Sequence, residues 1–150
     1  MKIYFVTIFC LAMATSGMAQ SIDYNISGGY VANGYDVVAY FDNKAVKGSN
    51  KFTATHDGVK YRFSDTNNLN KFKQNPEKYV PQYGGYCAYA VATKSEKVSI
   101  DPETFEIRDG KLYLFYNSWG TNTLKYWKKE MPETLRENAD KNWEKIKGYK

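Results

Sequence analysis

Two Asp-Gly dipeptides, Asp57-Gly58 and Asp109-Gly110, each set between runs of β-branched and aromatic residues, constrain this chain more than any other feature. Both central residues of a type I′ turn need positive φ, and Asp followed by Gly adopts it readily. The first pair divides 51–63 into two strand-like runs, and the second joins Phe105-Glu106-Ile107-Arg108 to Leu112-Tyr113-Leu114-Phe115. Two hairpins are therefore expected. Val37-Val38-Ala39-Tyr40-Phe41 predicts a further, buried strand.

Helix signals follow each hairpin. Ser64 or Asp65 caps a helix reaching Lys73, with Leu69 and Phe72 on its inner side. Pro76 and Pro81 bound a short segment around Tyr79. Ser118 is expected to open a helix carrying Leu124, Tyr126 and Trp127. Pro132 suits the first turn of a last helix, where its missing N–H costs nothing. Leu135, Ala139, Trp143 and Ile146 recur there at helical spacing, leaving Arg136, Glu137, Lys141 and Lys145 to water. The expectation is an α+β domain: a small antiparallel sheet of two or more hairpins with about three helices on one side.

The two stretches echo each other. Asp57-Gly58-x-x-Tyr61-x-Phe63 matches Asp109-Gly110-x-x-Tyr113-x-Phe115, and Leu69-x-x-Phe72 before Pro76-Glu77 matches Leu124-x-x-Trp127 before Pro132-Glu133. A hairpin–helix module used twice explains this, and so does coincidence between common turns.

The chain start reads differently. Lys2, the apolar run Ile3 to Met13 and the small residues ending at Ala19 have the layout of a cleavable secretory leader over 1–19. The alternative is a buried N-terminal strand or helix. The leader's apolar run is too short to span a bilayer, and none follows in the mature chain. Residues 20–33 read as a weakly patterned arm and 34–150 as a single domain, the expected size for one core. Cleavage at Ala19/Gln20 implies a periplasmic or secreted protein. It removes Cys10, which has no lipobox around it, and leaves Cys87 as the one thiol. No internal disulfide can then form. Loss of Lys2 lowers the net charge from +5 to +4, a mild excess, with Lys125, Lys128 and Lys129 read as a solvated helix face. With export, this speaks against nucleic acid as partner. The 14 Tyr and 8 Phe predict a core rimmed by phenols.

Between the two units runs Gln82-Tyr83-Gly84-Gly85-Tyr86-Cys87-Ala88-Tyr89-Ala90. With Gly34-Tyr35-Asp36-Val37-Val38-Ala39-Tyr40-Phe41, Tyr61-Arg62-Phe63-Ser64, Asp101-Pro102 and Ala139-Asp140-x-Asn142-Trp143, it resembles the YHS domain family, and within it the small exported bacterial YHS proteins. The resemblance covers nearly the whole mature chain and implies a YHS-like fold and heavy-metal handling. Some members of the exported branch carry selenocysteine where Cys87 stands, which directs attention to that atom. It also suggests that Tyr35 and Asp36 face the same region. Metal-binding members carry Cys near Tyr61, whereas Arg62-Phe63-Ser64 offers neither Cys nor His, so the family's usual ligand set does not carry over.

Three functions follow from the chemistry available. Cys87 with His56, and Met131 as a third donor, would suit a soft ion such as copper(I), but not a closed zinc site, which takes about four Cys or His ligands. His56 equally suits a solvated turn. Alternatively Cys87 is a redox thiol, favoured if it lies at a helix N-terminus; a small thiol or a protein partner must then resolve it. Thirdly, Cys87 is packing and the Tyr-rich surface binds a protein partner. Intrinsic catalysis is not expected under the first and third readings. Haem, dinucleotide, phosphate-loop and nucleophile-elbow sequences are missing, which removes those cofactor and hydrolase classes.

Overall fold

The computed structural model describes residues 21–149. The expected leader, 1–19, and its cleavage point at Ala19/Gln20 lie outside the described residues. The chain is α+β, and both Asp-Gly signals form the hairpins their chemistry requires. Strand β3 (Ser49–His56) pairs with β4 (Val59–Phe63), and β5 (Asp101–Arg108) with β6 (Lys111–Phe115). Asp57 and Gly58 have φ of +50° and +76°, and Asp109 and Gly110 +49° and +71°, the type I′ pattern. Two shorter hairpins join them: β1 (Ile26–Ser27) with β2 (Tyr30–Val31), and β7 (Asn117–Ser118) with β8 (Thr121–Asn122). Each pairing is its own two-stranded sheet, so the single sheet expected from the sequence is replaced by four ribbons among the described residues.

Among the described residues five α-helices cover these ribbons instead of about three: α1 (Thr66–Gln74), α2 (Pro76–Tyr79), α3 (Ala88–Lys94), α4 (Thr123–Lys129) and α5 (Pro132–Ile146). Asp65 caps α1 by accepting the Asn68 N–H at 2.8 Å. Pro132 starts α5, which buries Leu135, Ala139 and Trp143. Three expectations fail for local reasons. The Val37–Phe41 run is no strand: Asp36 Oδ1 accepts the Val38 and Ala39 N–H groups at 2.9 and 3.2 Å and turns the chain into a 3-10 helix, Ala39–Asp42. Ser118 ends a strand, and Asn122 caps α4. Residues 21–33 are no detached arm, because Asp23 N–H donates to Lys147 O and Asn25 N–H to Gly84 O, while Val31 is buried in the core.

The echo between the units is structural. Both long hairpins break register at one place, between Ser49 and Thr53 and between Asp101 and Phe105, at a constant offset of 52 residues. Ahead of each hairpin the chain makes a positive-φ turn, Ala32-Asn33-Gly34 or Tyr83-Gly84-Gly85, then a short helix closed by a left-handed residue, Asn43 or Ser95. Asp36 N–H donates to Val46 O at 2.8 Å, and Cys87 N–H to Val98 O at 2.9 Å. Asp36 and Cys87 therefore hold equivalent positions. Coincident turns would not share bulge, helix closure and anchoring bond, so a module used twice is the account that fits.

The units share their interior. One cluster combines Tyr61, Phe63 and Phe72 of the first with Cys87, Leu112 and Leu114 of the second. A second packs Trp127, Trp143 and Phe115 between α3, α4, α5 and β6. Tyr40 crosses over, its ring 4.7 Å from that of Phe105 and its hydroxyl donating to Pro102 O at 2.6 Å. Among the described residues no helix is long and apolar enough to cross a membrane.

Candidate functional site: a thiol at a tyrosine-lined cavity

The turn Tyr83-Gly84-Gly85 fixes where Cys87 goes. A Cβ on Gly84 would come within 2.8 Å of Asp23 O, and Tyr83, Gly84 and Gly85 all have positive φ. The chain leaves this turn extended, runs beside β6 through a parallel bridge from Cys87 to Leu114, and enters α3 with Cys87 as the residue before its first turn. Cys87 has no surface exposure and is one of the residues that line a cavity of about 290 Å³, with Tyr89, Tyr116, Thr121, Thr123, Tyr126 and Lys94.

Two groups hold the sulfur. Tyr116 N–H donates to Sγ at 3.3 Å, and Thr123 Oγ1 lies 3.3 Å from Sγ. The Thr123 hydroxyl donates to Tyr116 O at 2.9 Å, so its oxygen is free to accept the Cys87 S–H. Thr123 is itself buried. Tyr89 stays a phenol, since burial first, and then its 3.0 Å hydrogen bond to Glu130, push its titration above the ordinary value. The cavity thus presents one soft nucleophilic atom, hydroxyls and aromatic faces.

Cys87 and His56 share no partner. His56 Nε2 lies 2.9 Å from Glu77 Oε1, and its ring meets Phe72 edge-on. Its counterpart in the second unit is Arg108, which donates to Glu133 at 2.7 Å. The same tether from hairpin tip to the following helix is made by imidazole in one unit and guanidinium in the other. That is a structural role. Met131 is 70% exposed at the start of α5 and does not line the cavity. Asp36 serves its own unit and Tyr35 bridges to Lys47, so neither joins Cys87. Among the described residues, no three His, Cys, Asp or Glu side chains form a group able to hold a metal ion.

A second cavity, about 380 Å³, lies between Tyr24, Tyr83, Trp143 and the carboxyl groups of Glu77, Asp140 and Glu144. Those carboxyl groups are engaged: Asp140 accepts the Tyr83 hydroxyl at 2.8 Å, Glu77 meets His56 and Glu144 meets Lys147. Near it, Tyr86 is pushed up to about 12, by burial first and then by its hydrogen bond to Asp23. The sequence singled out Cys87 but not Thr123 or Tyr116, which stand 36 and 29 residues away. Aligning the two units would have found them, because Asp36 is held by Ser64 and Asn68, their counterparts.

The chain matches no family model, no curated protein and no solved structure.

Proposed function

We propose that the protein is a thiol-dependent redox module in which Cys87 is the reacting atom and the partner is a small oxidant that fits the tyrosine-lined cavity. The observation that carries this is Sγ held by Tyr116 N–H and near Thr123 Oγ1, in a residue that borders a cavity large enough for a small molecule. With a low-molecular-weight disulfide, the Cys87 sulfur attacks one sulfur of the pair, the S–S bond breaks, and a mixed disulfide forms. The departing thiolate takes up the proton that Cys87 gives away. A second small thiol restores Cys87 and releases a new disulfide. In the exported setting that the leader implies, no second mature Cys competes for the intermediate. The resemblance to selenocysteine-bearing YHS proteins supports the same atom. The soft-metal reading draws on that family too, but its expected pair, Cys87 and His56, have separate partners.

Iodoacetamide labelling of native mature protein, followed by intact mass, tests this, with and without one equivalent of copper(I). Labelling at Cys87 that copper leaves unchanged, together with a mixed disulfide from cystamine that dithiothreitol reverses, is the expected result. Labelling that copper abolishes would put the soft-metal function in its place. Labelling only after denaturation would remove Cys87 from any chemistry and leave the partner-binding surface as the function to pursue.

A further inference from the structure

Of the four hairpin tips among the described residues, three are built alike and one is not. Asp57-Gly58, Asp109-Gly110 and Gly28-Gly29 supply the glycine or short polar side chain that positive φ favours. The β7–β8 tip supplies Trp119-Gly120, at φ of +52° and +75°. Trp in the left-handed region is a strained choice, because its Cβ crowds the following carbonyl oxygen. No packing inside the fold offsets that strain: Trp119 is 95% exposed, whereas Trp127 and Trp143, the other two Trp, are buried. The hairpin is itself an addition to the repeated plan. Tyr113 stands 52 residues after Tyr61, but Trp127 stands 55 after Phe72, so the second unit carries three more residues between hairpin and helix. Where the first unit passes from Phe63 directly to the Asp65 cap of α1, the second builds β7–β8. An added turn that strains its backbone to display an unpacked indole points to something outside the fold that the indole meets.

We propose that this tip docks the protein onto an anionic lipid surface, with Trp119 seated among the headgroups and the neighbouring lysines drawn to the lipid phosphates. The inference stands apart from the thiol reading. The charge beside the tip selects the partner. Helix α4 follows β8 without a linker, and its exposed face carries Lys125, Lys128 and Lys129. Exposed Lys94 lines the same cavity as Thr121, two residues from Trp119, and the partly exposed Tyr126. None of these four lysines has a carboxylate within ion-pair distance among the described residues. Two carboxyl groups of this region are already engaged: Asp101 accepts from Thr104 and Asn117, and Glu130 accepts from Tyr89. An exposed indole flanked by unpaired ammonium groups suits a bilayer interface, where the amphipathic ring sits at headgroup level and lysines are attracted to anionic lipid. A protein partner would need roughly 800 Å² of complementary surface on this side. Here the indole stands alone, on a strand whose Asn117 and Ser118 are exposed polar residues.

Sedimentation of the native mature protein with lipid vesicles tests this. At low salt the protein is expected to pellet with vesicles of equal parts phosphatidylglycerol and phosphatidylcholine but not with phosphatidylcholine alone, and to be released as added salt screens the lysines. Tryptophan emission should shift to the blue on the anionic vesicles, and Trp119 is the residue that moves it, because Trp127 and Trp143 are already buried. Trp119→Asn gives the tip the residue a type I′ turn prefers. That variant is expected to melt at or above the natural protein while its vesicle affinity falls roughly tenfold or more. Replacing Lys128 and Lys129 by Gln is expected to weaken binding about fivefold for each lysine. Protein that stays in the supernatant with the anionic vesicles at low salt, or a Trp119→Asn variant that binds them as the natural protein does, would overturn the proposal. A Trp119→Asn protein that melts below the natural one would overturn it by showing that the indole supports the fold. A blue shift that grows with protein concentration without vesicles would replace the lipid surface with a second copy of this chain.

Discussion

Asp36 and Cys87 sit at one position of a repeated plan and carry very different loads. Asp36 has no exposure and receives five hydrogen bonds through its two oxygens. Truncating it to Ala leaves the buried Asn68 amide with only a long 3.5 Å contact to Ser64 Oγ and takes the acceptor from the half-buried Ser64 N–H, and each stranded donor costs about 1–3 kcal/mol. Asp36→Ala is expected to lose roughly 3–5 kcal/mol of stability, because five hydrogen bonds to one buried acceptor are lost together. Cys87→Ser, where Sγ has two weak partners, is expected to lose far less. Urea denaturation of both variants measures the difference, and equal losses would contradict the unequal loads. The sequence made Cys87 visible because it is the one thiol outside the expected leader. It hid the capping role of Asp36 for a physical reason: a carboxyl group that caps its own downstream turn competes with the strand preference of Val37 and Val38, and propensity does not register that competition.

Elements whose signals are local were legible, and those set by distant contacts were not. The two Asp-Gly turns, the Asp65 cap and the Pro132 start each act within about one helical turn, and all form as expected. Helix α3 escaped because Tyr89, Val91 and Thr93 are weak helix formers, and burial on several sides leaves no polar stripe to reveal a period. Helix α5 is tied to the second hairpin at its tip, where Arg136 donates to Asp109 and pairs with Glu133 at 2.9 Å. The Arg136 hydrogen bond first, and its charge second, hold the Asp109 carboxyl below the ordinary carboxylate range. A depressed folded-state value stabilises the fold above the unfolded value, and that gain disappears as pH falls through the folded one. The melting-temperature advantage of the natural protein over Arg136→Met should accordingly be constant near neutrality and shrink below about pH 4. Thermal scans across the acid range decide it; an advantage unchanged by acid would mean that Arg136 acts through packing alone.

At the scale of the molecule, two similar units have one interior. Tyr61, Phe63 and Phe72 pack with Leu112 and Leu114, and Tyr40 reaches Phe105 and Pro102. Neither unit can complete its core alone, and fewer than about 70 residues seldom hold a core without a staple such as a disulfide. Unfolding is expected as a single transition, with circular dichroism and tryptophan emission giving coincident curves. A fragment of residues 21–80 should lack a cooperative melt. Two resolved transitions, or a folded fragment, would show that the units are separate. The α+β class was legible at this scale because it follows from counting hairpins and helices, whereas the division into four ribbons depends on twist and long-range packing that no short stretch encodes.

Two copies of one plan also divide their duties. The position occupied by Asp36 is committed to the architecture, and almost any replacement there disturbs five hydrogen bonds at once. Its twin is released from that duty because the fold is already secured across the shared interior. Position 87 can therefore sample side chains of new chemistry while its surroundings stay fixed, which makes the second unit the half of this molecule where novelty is cheapest to try.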